Sequence, residues 1–302
     1  MFTLQFLNFL ACASVVVGAP NSIESRASPF KYLITLSVLQ FLNLSQYLTN
    51  IKVVILIPRP VSQLQAPSPQ SQIQLATLRS QAGLHPEAII STTLLNYNFA
   101  SGGATTDANL VTPYASTVLS LVDQVSLFTK NLSPLPSPLS SSNTLFAIWI
   151  GVNDVGNAWY ASNWSSLSQT IINRYIQEAA TLYAGGARNF LFLTVPPIQR
   201  TPSVLQQSTS VQQQEGAAVQ RYNQLLGQAV TAFKGNYTGV QTWVYDTTGP
   251  FNTALNNPTA YGAKDATCYN SDGVSCLWWN DYHPGLAIHK LVAQGVAALV
   301  GL

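Results

Sequence analysis

From about Leu94 onward, short apolar runs alternate with longer stretches in which apolar residues recur at helical spacing. The runs are Leu94 to Ala100, Thr144 to Ile150, Asn189 to Val195 and Thr242 to Tyr245. Between and after them lie Thr117 to Lys130, Leu167 to Tyr183, Val211 to Phe233 and Leu286 to Leu299, each with an apolar stripe. Strands separated by helices of this length pair in parallel through right-handed crossovers. The pattern therefore predicts an α/β fold: a three-layer α/β/α sandwich around a mainly parallel, flavodoxin-like sheet. Such a sheet binds ligands at the carboxyl ends of its strands. No repeat and no linker interrupts this region, so residues 20–302 are expected to form one domain.

Ahead of it the pattern fails. Phe30 to Leu36 reads as a first strand, but Ser37 to Lys52 is apolar without a clean period. Pro58-Arg59-Pro60 and the Gln/Ser/Pro-rich stretch Gln63 to Gln74 follow. Residues 37–90 are thus expected to be an aberrant, poorly ordered segment. Tyr32 to Ile57 is long enough to span a bilayer, but Gln40, Asn43, Gln46, Asn50 and Lys52 interrupt it, and a span favours about 20 nearly unbroken apolar residues. No stable membrane span is expected.

Residues 1–19 read as a secretory signal, with Phe2 to Val17 mostly apolar and Val17-Gly18-Ala19 supplying small residues before a cut. The stretch lacks a cation until Arg26, which leaves a buried N-terminal strand or helix as the alternative. Removal of the signal takes Cys12 and leaves Cys268 and Cys276, separated by a segment whose Asp272-Gly273 favours a turn. A disulfide between them suits an oxidising compartment. A zinc site would need ligands beyond His283, so no metal is expected. Sequons begin at Asn43, Asn131, Asn163 and Asn236, consistent with an extracellular glycoprotein.

Charge narrows the partners. Only 8% of residues are charged and the net charge is +2, with no basic stripe to neutralise phosphates. This argues against nucleic acid as a partner, and the charge balance points to uncharged substrates or none.

Three motifs sit at strand exits. Asn98-Phe99-Ala100-Ser101-Gly102-Gly103-Ala104-Thr105 places glycines where backbone N–H groups could approach an oxyanion; Gly-Gly is equally a turn. Ile150-Gly151-Val152-Asn153-Asp154 offers an amide donor, unless Asn153 caps the next helix. In Trp278-Trp279-Asn280-Asp281-Tyr282-His283-Pro284 a carboxylate close to a histidine can orient an imidazole acting as general base. His289 falls inside a helical stretch and His85 in the aberrant segment. Trp278 and Trp279 are candidates for stacking on sugar rings, although core packing is the commoner role.

In this order the three motifs resemble blocks two, three and five of the SGNH/GDSL hydrolases, over Leu94 to Leu302. The similarity is greatest to secreted fungal acetyl esterases of carbohydrate esterase family sixteen. The resemblance implies hydrolysis of short acyl esters, with acetylated plant-wall sugars as substrates, by a secreted, cofactor-free enzyme expected to be a monomer. It implies Gly103 and Asn153 as oxyanion donors and His283 as the base. The class pattern Asp-x-x-His would put the acid at position 280, which is Asn280 here; Asp281 is taken as the acid.

Block one, Gly-Asp-Ser after the first strand, is absent. Ser37 is one displaced candidate, but it lacks the small neighbour of a tight turn. The genetic code offers another. Read one nucleotide earlier, codons for Val54 to Val61 permit Gly-Asp-Ser-Tyr-Ser-Gln-Thr-Gly, and the same frame over Ile73 to Ile89 permits a Pro/Gly-rich loop containing Trp. These expectations describe a mis-spliced gene model with Ser37 to Lys52 as retained intron and the frame restored near Ile90. A non-catalytic secreted binder that keeps the pocket is the rival reading.

Overall fold

The computed structural model describes residues 28–37, 51–56 and 92–302. Six strands form one sheet: β1 (Tyr32–Ser37), β2 (Ile51–Leu56), β3 (Thr92–Asn98), β4 (Thr144–Trp149), β5 (Asn189–Leu193) and β6 (Gln241–Tyr245). Their spatial order is β2-β3-β1-β4-β5-β6, and every pairing is parallel. Without β2 this is the flavodoxin-like order, so the expected architecture is the observed one.

Among the described residues seven α-helices accompany the sheet: α1 (Leu121–Leu132), α2 (Val152–Ala158), α3 (Trp164–Ala184), α4 (Pro202–Leu205), α5 (Thr209–Asn236), α6 (Thr248–Asn256) and α7 (Leu286–Val300). Side chains alternate across each strand and divide the core in two. Ile34, Leu36, Phe146, Ile148, Phe190 and Phe192 face one way and pack on Phe128, Ile171, Tyr175, Leu226 and Phe233 of α1, α3 and α5. Leu33, Leu145, Ala147, Trp149, Leu191 and Leu193 face the other way, onto Phe251, Ile288, Val292 and Val296 of α6 and α7. Three layers result. The central strands β4 and β5 are buried at every position, as two-sided burial requires.

The predicted helices end where local chemistry ends them. α1 begins four residues after Thr117 because Ser120 caps it, its hydroxyl accepting from the Asp123 amide while Asp123 reaches back to the Ser120 amide. Helices α2, α4 and α6 were not expected, being too short for a helical period to show.

Within residues 37–90, expected to be aberrant and poorly ordered, Ser37 closes β1 and Ile51–Leu56 pairs with β3 from Ile51 opposite Thr92 to Leu56 opposite Tyr97. The stretch Ile-Lys-Val-Val-Ile-Leu is rich in β-branched residues, which suit a pleated surface. The rest of that segment, the signal at residues 1–19 and the sequon at Asn43 lie outside the described residues. Among the described residues no helix is long and apolar enough to cross a membrane.

Candidate active site

The site lies at the carboxyl edge of the sheet, where β1 is flanked by β3 and β4 and the chain leaves to opposite sides. A cavity of about 360 Å³ opens there, lined among others by Gly103, Tyr114, Asn153, Thr201, Tyr282 and His283. Three of the expected site residues, from three separate segments of the chain, therefore share one cavity.

Gly103 follows β3 with φ of +83°, in the left-handed region. A Cβ there would collide with the ring of Tyr114, so only glycine fits. Upstream, the Asn98 side chain accepts from the Ala100 amide and from Thr35 Oγ1, each at 3.0 Å. This ties the exit of β3 to the last turn of backbone in β1.

Gly151 follows β4 with φ of +119°, packed against Tyr222, and opens α2. Asn153 is not a cap: Gly151 holds that position, and the Asn153 amide donates to Ala104 O at 2.9 Å. An amide nitrogen carries two hydrogens, so one remains for a ligand. The next residue, Asp154, is fully buried and accepts from the Thr106 amide at both oxygens, 3.0 and 3.1 Å, and from Thr106 Oγ1 at 3.2 Å. Burial pushes its carboxyl up to about 7, against those hydrogen bonds, which pull it down.

His283 sits on a loop braced from several sides. The Trp279 amide donates to His283 O at 2.8 Å, and the Gly285 amide donates to Leu277 O at 2.7 Å. Cys268 and Cys276 form the expected disulfide, with Cα atoms 5.3 Å apart. The ring of His283 meets Tyr282 and Trp279 edge-on, at 5.7 and 6.2 Å between centroids. Burial lowers the proton affinity of His283, while the charge of Asp281 raises it.

Asp281 was the expected acid, but its side chain is exposed, and its backbone carbonyl accepts from the Ser203 amide at 2.9 Å. The group beside His283 Nδ1 is Asn280 Oδ1, at 3.0 Å. Trp278 is buried, as core packing demands, with its indole donating to Ala266 O. Trp279 is 44% exposed. His289 is buried in α7 and lies outside the cavity lining.

Sequence reasoning missed Tyr114, Thr201 and the Pro196-Pro197-Ile198 turn, all of which line the cavity. The double proline directly after a predicted strand was the one available signal. No serine lines the cavity among the described residues. Ser37 is the last residue of β1, in register with Trp149.

The protein is of the α/β class, with a parallel sheet that brings Gly103, Asn153 and His283 to one cavity at its carboxyl edge. More narrowly, the chain belongs to the GDSL-like lipase/acylhydrolase family, whose model matches residues 73–296. It is a carboxylic ester hydrolase by family. An acetylesterase of Thermothelomyces thermophilus is 53% identical over 210 residues, covering 68% of this chain and 70% of that protein. A GDSL esterase/lipase of Arabidopsis thaliana is 27% identical over 243 residues, covering 68% of this chain and 64% of the plant protein. The chain spans about half the length of other plant relatives, 51% in two of them. Among solved structures, an acetylxylan esterase from Geobacillus stearothermophilus aligns over 92% of this chain and 97% of its own, with 14% identity and a TM-score of 0.44.

Proposed function

We propose that this fold hydrolyses short acyl esters, chiefly acetyl groups on plant-wall sugars, by a serine mechanism in the parental enzyme. The observation that carries the reading is the convergence of Gly103, Asn153 and His283 on one cavity. A serine attacks the ester carbonyl, and His283 Nε2 takes its proton. The Gly103 amide and the second amide hydrogen of Asn153 hold the oxyanion. The alkoxide leaves with the proton from His283, and water then releases the acyl group by the same route. The acetyl preference is supported by the fungal acetylesterase at 53% identity.

Secretion, glycosylation and a monomeric state belong to the same proposal. The Cys268–Cys276 disulfide suits an oxidising compartment, and Asn163 and Asn236 of the sequons are exposed.

The serine itself is not written as Gly-Asp-Ser anywhere in the chain. We infer a gene model whose correct transcript restores it, with Ser37 to Lys52 as retained intron. A spliced message encoding Ser37 to Ile90 as given would overturn this. The missing Gly-Asp-Ser of the sequence favours a second reading for this chain as it stands: a binder that keeps the pocket without turnover. Hydrolysis of p-nitrophenyl acetate, lost on His283→Ala, supports the enzyme. Binding of acetylated sugar without hydrolysis supports the binder, and a repaired chain that neither binds nor turns over acetyl esters sinks both.

A further inference from the structure

The group that meets the histidine is an amide, and its orientation can be deduced. Asn280 Oδ1 accepts from the backbone amides of Tyr282 and His283 at 3.0 and 2.6 Å. Oxygen and nitrogen of an amide are alike in shape, but an NH₂ placed against two N–H donors would be repelled by both. The atom is therefore the oxygen. His283 Nδ1 faces the same oxygen at 3.0 Å, so it must carry a hydrogen. The lone pair of the neutral ring is then on Nε2.

We propose that Asn280 is the positioning residue for His283, fixing it as the Nδ1–H tautomer through a neutral amide, while Asp281 contributes only its charge from the solvent side. The proposal rests on reading His283 as the general base. It departs from a carboxylate-held base in one respect. An amide orients the ring as well as an acid does but gives no countercharge to the imidazolium. The base consequently stays unprotonated further into the acid range than a carboxylate-held histidine.

The ionisable groups around the ring are few. Asp281 raises its proton affinity, and burial opposes it. His289 in α7 is coupled to it by charge. The Tyr282 phenol packs on it, with Glu215 of α5 beyond that phenol, and Tyr114 stands across the cavity. Among the described residues, Asp281 is the carboxylate whose charge acts on the ring directly.

The test is imidazole nitrogen NMR on the full ¹⁵N-labelled chain through the imidazole titration, with His283→Gln assigning the resonance. The expected result is a protonated Nδ1 and a bare Nε2 in the neutral ring. Asp281→Asn should keep that tautomer and lower the titration midpoint slightly. Asn280→Asp should keep the tautomer and raise the midpoint by at least about one unit, as a contacting carboxylate does. An Nε2–H tautomer in the native chain overturns the proposal. So does a tautomer switch in Asp281→Asn, or an unmoved midpoint in Asn280→Asp. No step needs turnover, so a serine-repaired chain that shows the expected tautomer yet stays inactive would count against the esterase reading and leave this one standing.

Discussion

Both carboxylate oxygens of Asp154 are held by Thr106, so the turn after β4 and the loop after β3 move as one piece. Gly103 lies three residues before Thr106 and Asn153 directly before Asp154, one at each end of this clamp. Asp154→Ala would strand the Thr106 amide and hydroxyl in a fully buried site, a loss of about 2–4 kcal/mol. Urea unfolding monitored by tryptophan fluorescence measures it. A change below about 0.5 kcal/mol, the size of an ordinary surface substitution, would mean the clamp is not structural.

Gly103 and Tyr114 form a second coupled pair. Gly103→Ala is expected to destabilise by more than about 1 kcal/mol, from its left-handed φ and the collision with the ring. The double change Gly103→Ala with Tyr114→Ala removes the collision and keeps the dihedral strain. It should cost less than the sum of the singles, and thermal unfolding of the four proteins of the cycle reads the coupling. Additive costs would refute the contact.

Two buried groups give the stability opposite pH slopes. Burial lowers His289 to about 4, whereas an unfolded histidine titrates near its ordinary 6.5. Between those values the unfolded chain binds more protons, so stability is full above about 6.5 and falls as pH drops towards 4. His289→Gln should flatten that acid limb in urea midpoints measured against pH.

Glu215 works the other way. Burial raises it to about 7 from 4.5, so the unfolded chain gives up its proton first. Stability is full below about 4.5 and falls as pH rises through 7. Glu215→Gln should therefore stabilise the protein in mildly alkaline buffer by about 1–3 kcal/mol and barely change it in acid. Equal effects at both ends would contradict the buried carboxyl as the cause.

Opening the Cys268–Cys276 loop is expected to cost about 2–3 kcal/mol, the chain entropy of a loop this short. The effect reaches the site because Trp279 donates to Ser271 O inside the loop and rests beside His283. A Cys268→Ser, Cys276→Ser protein should show a lower unfolding midpoint and an altered His283 resonance. An unshifted resonance would show that the loop does not brace the histidine.

Much of this was legible in order and little in detail. Runs such as Thr144 to Ile150 announced buried parallel strands because two-sided burial leaves the run almost wholly apolar after Thr144. The glycine turns stood at strand exits, where the fold rule puts ligands, whereas His283, expected at such an exit, lies on the loop between α6 and α7. What sequence could not supply was which neighbour of His283 turns inward. Charge pointed to Asp281, whereas the backbone of the turn aims Asn280 at the ring, because one oxygen there also satisfies two amides. The strand Ile51–Leu56 was hidden for a different reason. Its neighbours carry no period, and a six-residue β-branched run is ambiguous without a partner.

The placement of β1 has one more consequence. It is gripped along its length by β3 and β4, and at its end Thr35 is bonded to Asn96 and Asn98. The spot where chain leaves that strand is thus set by its neighbours, whatever residues come next. It behaves as a fixed socket for whatever the chain places there.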